Sequence, residues 1–155
     1  MLPGIIGTMV LVPNKKARAE YAISKTLTAG IVLSGAEVKS LRLKQGSLKG
    51  SYIKLVGGEL FLINAHISPY KFADPRKDYD PVRSRKLLVT KRELTDIQAQ
   101  QEQKNVVLVP LSIDAVGRHI KVQVGIGKGL KKYEKRERIK KRDQERDIAR
   151  EMKYR

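Results

Sequence analysis

The chain of 155 residues has no cysteine and no tryptophan, only two phenylalanines and two histidines, and no long apolar run. Without cysteine, disulfide scaffolds and Cys-based zinc sites are excluded, and neither redox compartment is favoured. His66 and His119 alone make a poor metal-ligand set, so no metal or cofactor is expected. No apolar stretch reaches the ~20 residues needed to span a bilayer. What the chain has in excess is positive charge: 33 Lys+Arg against 16 Asp+Glu, a net +17 and a pI near 10.2. Such a balance calls for an anionic partner, nucleic acid first and an anionic membrane surface second. The C-terminal residues lack the Trp/Phe/Leu face of an interfacial helix, which weakens the membrane alternative.

The length suits one domain with appendages. Residues 1–13, MLPGIIGTMVLVP, carry no Lys or Arg ahead of their apolar part. They read as an unpacked leader, with Met9 as an alternative start, and not as a secretory signal. That places the chain in the cytoplasm. Residues 14–129 form the body, and residues 130–155 a basic tail. From Lys131 onward Lys/Arg outnumber Asp/Glu by 12 to 6, with neither Gly nor Pro. Glu134–Arg138 and Glu137–Lys141 are favourable i,i+4 pairs, each worth only ~0.2–0.5 kcal/mol. Against ~1–2 kcal/mol of backbone entropy per residue, the tail is expected to be disordered alone and helical against a polyanion. Tyr133 is its candidate base-stacking aromatic.

Within the body, apolar alternation from Tyr21 to Leu33 gives two strands, or one bent strand broken at Gly30. Val38, Leu41 and Leu43 have a helical period ending at Gly46. Ser51–Val56 and Glu59–Ala65 flank Gly57-Gly58, a hairpin signal because both glycines accept positive φ. Residues 66–82, with three prolines and no period, form a long surface loop of the kind that carries function. A helix follows within 82–103; Thr90-x-x-Glu93 has capping-box spacing, which starts it at Thr90 with Lys86–Val89 extended. Val106–Ile113 and Ile120–Ile126 are the last two strands. The total is mainly β with short helices. It suits an OB-fold-like small β-barrel, with a generic α+β sandwich fitting nearly as well.

Five segments in order resemble the SsrA-binding protein (small protein B) family. Gly35-Ala36-Glu37-Val38-Lys39-Ser40-Leu41-Arg42 carries the strongest likeness. The others are Asn14-Lys15-Lys16-Ala17, His66-Ile67-Ser68-Pro69-Tyr70, Asp80-Pro81-Val82-Arg83-Ser84-Arg85-Lys86-Leu87-Leu88 and Tyr133-Glu134-Lys135-Arg136. The resemblance implies an OB-like barrel that binds transfer-messenger RNA at its tRNA-like elbow. It further implies delivery, with elongation factor Tu as an indirect partner, to ribosomes stalled on broken messages. The tail would become helical in the decoding centre and mRNA channel against small-subunit rRNA. The chain would be a monomer with no catalytic residues.

On the residues alone, Asn14-Lys15-Lys16 is a solvated run before a strand, Leu88 a buried side chain and Lys121 an exposed strand lysine; the resemblance makes all five RNA contacts. Lys39 and Arg42 share a helix face and reach one stretch of phosphate. Glu37, beside Ser40, orients a cation, accepts from a base, or is simply exposed. Arg83, Arg85 and Lys86 supply guanidinium forks and charge. His66 stacks or bonds, and Lys128 adds charge where the body ends. In the tail, Lys131, Lys132, Tyr133, Glu134, Lys135, Arg136, Lys140, Lys141 and Arg142 would meet the ribosome. Thr28 stands where the family usually has an acidic residue, Lys44-Gln45 replace a common Gly-Lys, and Gly127 adds a glycine expected to loosen the hinge to the tail. Two rival readings remain. A general single-strand-binding or ribosomal protein would need more aromatics, and a basic nuclease would need a metal-binding carboxylate pair that nothing marks out.

Overall fold

Two long apolar segments in the last third of the body set the largest unit, to which the other strands attach. A computed structural model describes residues 8–75, 78–103 and 105–153, with the backbone alone described at 132, 133, 151 and 153. The strands are β1 (Thr8–Pro13), β2 (Tyr21–Ile31), β3 (Gly46–Ser47), β4 (Tyr52–Val56), β5 (Glu59–Ile63), β6 (His66–Ile67), β7 (Arg85–Leu88), β8 (Val106–Val116) and β9 (His119–Gly129). The helices are α1 (Ala17–Glu20), α2 (Gly35–Arg42), α3 (Lys91–Gln101) and α4 (Lys132–Lys153).

β8 and β9 form a long hairpin from Val106↔Lys128 to Val116↔His119, turning through Gly117 at φ 59°. Ile120, Val122, Val124 and Ile126 point inward and are buried. The far edge of β9 takes β2 in antiparallel register from Tyr21↔Gly129 to Gly30↔Lys121. β2 then pairs with β7, β7 with β5 and β5 with β4, and β4 returns to β8 at Ile53↔Leu108. The ring is therefore closed, which removes the exposed edges a small sheet must otherwise protect. The small OB-like barrel expected from the sequence is present, with six strands in its ring where the OB type has five. Both glycines of the β4–β5 turn have positive φ, 59° and 78°.

Four local expectations need correction. Residues 8–13 are not an unpacked leader: β1 fills the part of the β8 edge that β4 leaves free, from Thr8↔Val116 to Pro13↔Ser112. Leu11 and Val12 join the core; residues 1–7 lie outside the described chain. Gly30 does not break β2, because its missing side chain accommodates Leu88 of the neighbouring strand β7. α2 stops at Arg42, before Gly46, and the chain leaves it through Lys44 at φ 60°. That is the left-handed conformation for which glycine is best suited. Finally, Gly127 is no loose hinge. It is buried within β9, and a Cβ there would sit 2.1 Å from the Ala22 carbonyl oxygen. The ladder runs on to Gly129, so the body–tail junction is only the two residues after it.

The tail is helical over Lys132–Lys153. The local pairs alone are too weak for this, but the sequence could not show the docking. Arg138 Nη1 donates to Arg18 O at 3.1 Å and Tyr21 O at 3.4 Å, and Arg142 Nη1 to Lys15 O at 3.4 Å. Leu130 N donates to Glu20 O at 2.9 Å. The guanidinium groups thus take main-chain carbonyls before, within and after the short helix α1. Beyond Arg142 the helix is exposed.

Two substitutions test this packing. Leu11→Ala should lower stability by ~2–5 kcal/mol, as for other large-to-small core changes; urea unfolding that shows no loss would put β1 outside the core. Gly127→Ala should cost at least the ~1–3 kcal/mol typical of overpacking, read as a lower thermal midpoint. A neutral result would mean that β2 and β9 approach less closely than described.

Candidate nucleic-acid interface

The cations of the expected site fall into two groups, one engaged inside the protein and one facing outward. Period-two alternation in β7 turns Arg85 and Leu87 inward and Lys86 and Leu88 outward. Arg85 is fully buried, and each of its five N–H donors has a partner. Nε bonds Glu37 Oε2 at 2.7 Å, Nη1 bonds Ala65 O at 2.7 Å and Arg83 O at 3.1 Å, and Nη2 bonds Tyr79 Oη at 3.1 Å and Pro81 O at 3.0 Å. Glu37, 1 % exposed, also accepts from Arg83 through both Nε and Nη2.

Glu37 is also the N3 residue of a capping box. Its backbone N–H bonds Ser34 Oγ at 3.2 Å, and its Oε1 accepts from Ser34 N at 2.9 Å. Burial pushes the Glu37 carboxyl up, but the bonds from Arg83, the Ser34 amide and Arg85, with Arg85's charge, outweigh it and hold the group at about 2, against an ordinary 4.5. Burial and the neighbouring carboxylate push the Tyr79 hydroxyl up. It bonds Ile67 O at 2.9 Å.

Glu37, Ser40 and Arg85 are therefore not direct RNA contacts. Each is buried, and Ser40 Oγ is engaged with Ser68 O at 2.7 Å. Arg83 is half-exposed but turned to Glu37, and the Lys86 ammonium lies 3.1 Å from Glu59. The run of three cations in four residues thus looks inward or sideways. Asn14 is also engaged: its side-chain amide donates to Pro110 O at 2.7 Å and its backbone N–H to Leu111 O at 3.0 Å. The β8 bulge between Pro110 and Ser112 frees those carbonyls from the ladder. Sequence reasoning missed Ser34 and Tyr79. Ser34-x-x-Glu37 repeats the spacing of Thr90-x-x-Glu93 and could have revealed the box; Tyr79 left no signal.

The outward group is brought together by register. Leu88, Gly30 and Lys121 lie in one transverse row across β7, β2 and β9. Leu88 is 51 % exposed and lies over Gly30, where an added Cβ would come within 3.3 Å of its own Cβ. Lys121 is half-exposed, with Asp114 directly across the ladder; Asp114 Oδ1 is buried without a hydrogen-bond partner. The next row on the same face holds Thr28, whose Oγ1 donates to Gln123 Oε1 at 3.1 Å. An uncharged pair thus stands where the family usually has an acid. From the β8–β9 turn the face continues onto α2: Arg42 donates to Arg118 O at 3.2 Å, and Lys39 lies one turn earlier.

The remaining cations lie elsewhere. Lys15 and Lys16 are exposed along a cleft of about 780 Å³ that Tyr21, Lys49, Ser51 and Tyr52 also line. His66 is exposed on β6, paired with Ser47 at the margin of that cleft. Lys128 and Lys131 are exposed near the body–tail junction, and Lys131 N bonds Glu134 Oε2 at 3.2 Å. Arg136, Lys140 and Lys141 are exposed on α4, Lys135 is half-buried, and Arg142 is docked on Lys15 O. The side chains of Lys132 and Tyr133 lie outside the described residues. Among the described residues no cluster of His, Asp and Glu could hold a metal, and no helix is long and apolar enough to cross a membrane.

A closed, basic barrel with an exposed Leu–Gly–Lys row and an arginine-rich helical arm has the form of an RNA-binding protein. Comparison with known proteins defines it further. The SmpB protein family model matches residues 11–154, and the chain belongs to that family. It is 46 % identical to the SsrA-binding protein of Chloroflexus aggregans, over 94 % of this chain and 92 % of that one. It is 43 % identical to the SsrA-binding protein of Lactobacillus gasseri, over 91 % and 93 %. A solved structure, "tmRNA-SmpB: a journey to the center of the bacterial ribosome", contains a chain 41 % identical to this one, with TM-score 0.62 over 77 % of this chain and 84 % of that one.

The buried pair sets an acid limit on stability. Glu37 has a depressed folded-state value, so its contribution is complete above about 4.5 and lost as pH falls towards about 2. Glu37→Gln should cost ~3–5 kcal/mol at neutral pH, since Arg85 is left buried without a counter-charge, and should flatten that acid limb. Urea unfolding of both chains between pH 2 and pH 7 (roughly the span in which carboxylates titrate) checks this; parallel pH profiles would remove Glu37 as the titrating group.

Proposed function

We propose that this chain is a non-enzymatic adaptor that binds transfer-messenger RNA at its tRNA-like part and brings it to stalled ribosomes in the cytoplasm. The observation that carries the reading is the Leu88–Gly30–Lys121 row. An exposed leucine lying flat on a glycine offers an apolar seat for an unstacked base or sugar, and Lys121 supplies the charge for its phosphate. Lys39 and Arg42 extend that charge along α2. Family membership, the naming of the curated relatives for SsrA binding and the ribosomal setting of the solved neighbour support the same reading.

The body and the arm have separate tasks. The body grips the RNA, which elongation factor Tu accompanies. The cations of α4 follow small-subunit rRNA in the decoding centre and the mRNA channel, in place of a codon. Lys15 and Lys16 face the cleft beside the docked arm, away from the Leu88 row in sequence and in the barrel ring. They are assigned to phosphate contacts once the arm has moved.

Gel-shift titrations separate these parts. Leu88→Asp should weaken binding to a tRNA-like transcript by about 10- to 100-fold, the equivalent of one lost apolar contact. Lys121→Ala should lower the salt slope by about one phosphate contact. A chain ending at Lys128 should keep RNA affinity yet fail to rescue stalled ribosomes. If Leu88→Asp and Lys121→Ala bind like the unaltered chain, or if poly(U) competes as well as the transcript, the reading is wrong.

A further inference from the structure

The loop between β6 and β7 carries an aromatic pair that no contact described so far uses. Phe72 is 75 % exposed, the most exposed large apolar side chain among the described residues. Its ring meets Tyr70 edge-to-face, with centroids 5.6 Å apart and planes at 69°. Each ring has a lysine over it: Lys39 Nζ is 5.5 Å from the Tyr70 centroid and Lys71 Nζ 5.7 Å from that of Phe72.

The pair stands on a fixed base. Ser40, buried in α2, donates to Ser68 O, while Ser68 N donates to Gln45 O at 3.0 Å. Ala73 N closes a turn on Tyr70 O at 3.0 Å, and Tyr79 ties Ile67 back to the Arg85 network. An exposed ring on a mobile loop would lose much of its binding energy in ordering, whereas one already held loses little. The surroundings also select the partner. A protein-docking site would have further apolar neighbours; here a lysine lies over each ring, in a chain of net charge +17. Lys39 begins the strip that continues through Arg42 to the β8–β9 turn.

We propose that Tyr70 and Phe72 form a stacking platform for one unpaired nucleobase of a bound RNA, with Lys39 and Lys71 on its flanking phosphates. The proposal rests on the RNA-binding reading above and adds a contact outside the Leu88 row. Either the tRNA-like RNA or ribosomal RNA could present such a base, so both are tested.

The chain has no tryptophan, so Phe72→Trp introduces a single indole reporter on the platform. Its emission should be quenched on titration with a tRNA-like transcript, or with small ribosomal subunits, whichever supplies the base. Phe72→Ala should weaken binding to that same partner by about 5- to 150-fold. Phe72→Leu should weaken it nearly as much, and Phe72→Tyr should restore it. Unchanged thermal midpoints confirm that the variants fold. The proposal is overturned if Phe72→Ala binds both partners normally, or if Phe72→Leu binds like the unaltered chain. An indole that blue-shifts on the ribosome without quenching, the sign of an apolar protein surface, also overturns it. In any of these cases a Leu88→Asp defect would still stand, so failure here is distinct from failure of the proposed function.

Discussion

The architecture turns on one buried guanidinium. Arg85 is out of water and has a partner for each of its five donors. Those partners come from α2, the end of β5, the loop before β7 and Tyr79. A buried charge is tolerated only when paired and fully hydrogen-bonded, so Glu37 must sit where it does. It is also bound into the Ser34 cap, which sets where α2 begins. One ion pair therefore fixes a helix start, the return of the long loop and the inward phase of β7. Leu88 faces outward because Arg85, three residues earlier, faces in.

This arrangement separates the charges that hold the protein together from those left facing outward. Arg83, Arg85, Lys86 and Glu37 are engaged with one another or with Glu59, and the face beyond them presents Leu88, Lys121, Lys39 and Arg42. Charge density in the sequence was thus a poor guide to the interface. Outward phase on a strand or helix was a better one, since it decides which cations remain available for phosphate.

Much of the fold was legible in local signals. Gly57-Gly58 gave the hairpin, Thr90-x-x-Glu93 the start of α3, and Val106–Ile113 and Ile120–Ile126 already read as the strands β8 and β9. What failed were features that depend on long-range fit. β1 reads as an apolar leader because its partner edge on β8 lies about a hundred residues away. Gly127 reads as a flexible joint because only the Ala22 carbonyl reveals how close the strands come. Of the three roles open to Glu37 in the sequence, orienting a cation is the one it has, with Arg83 and Arg85 as its partners, while the docking of Arg138 and Arg142 on carbonyls around α1 has no sequence signature. Of the interface, Lys121 and Leu88 came from family likeness; their alignment in one row came from register.

The arm meets the barrel in an unusual way. Among the described residues, the hydrogen bonds that join α4 to the body run from guanidinium groups to main-chain oxygens, while Ile139, Ile148 and Met152 stay exposed. Lifting the arm therefore uncovers main-chain oxygens that water can satisfy at once. Bonds of that kind are exchanged for bonds to water at little net cost, so the grip of the body on this limb is light.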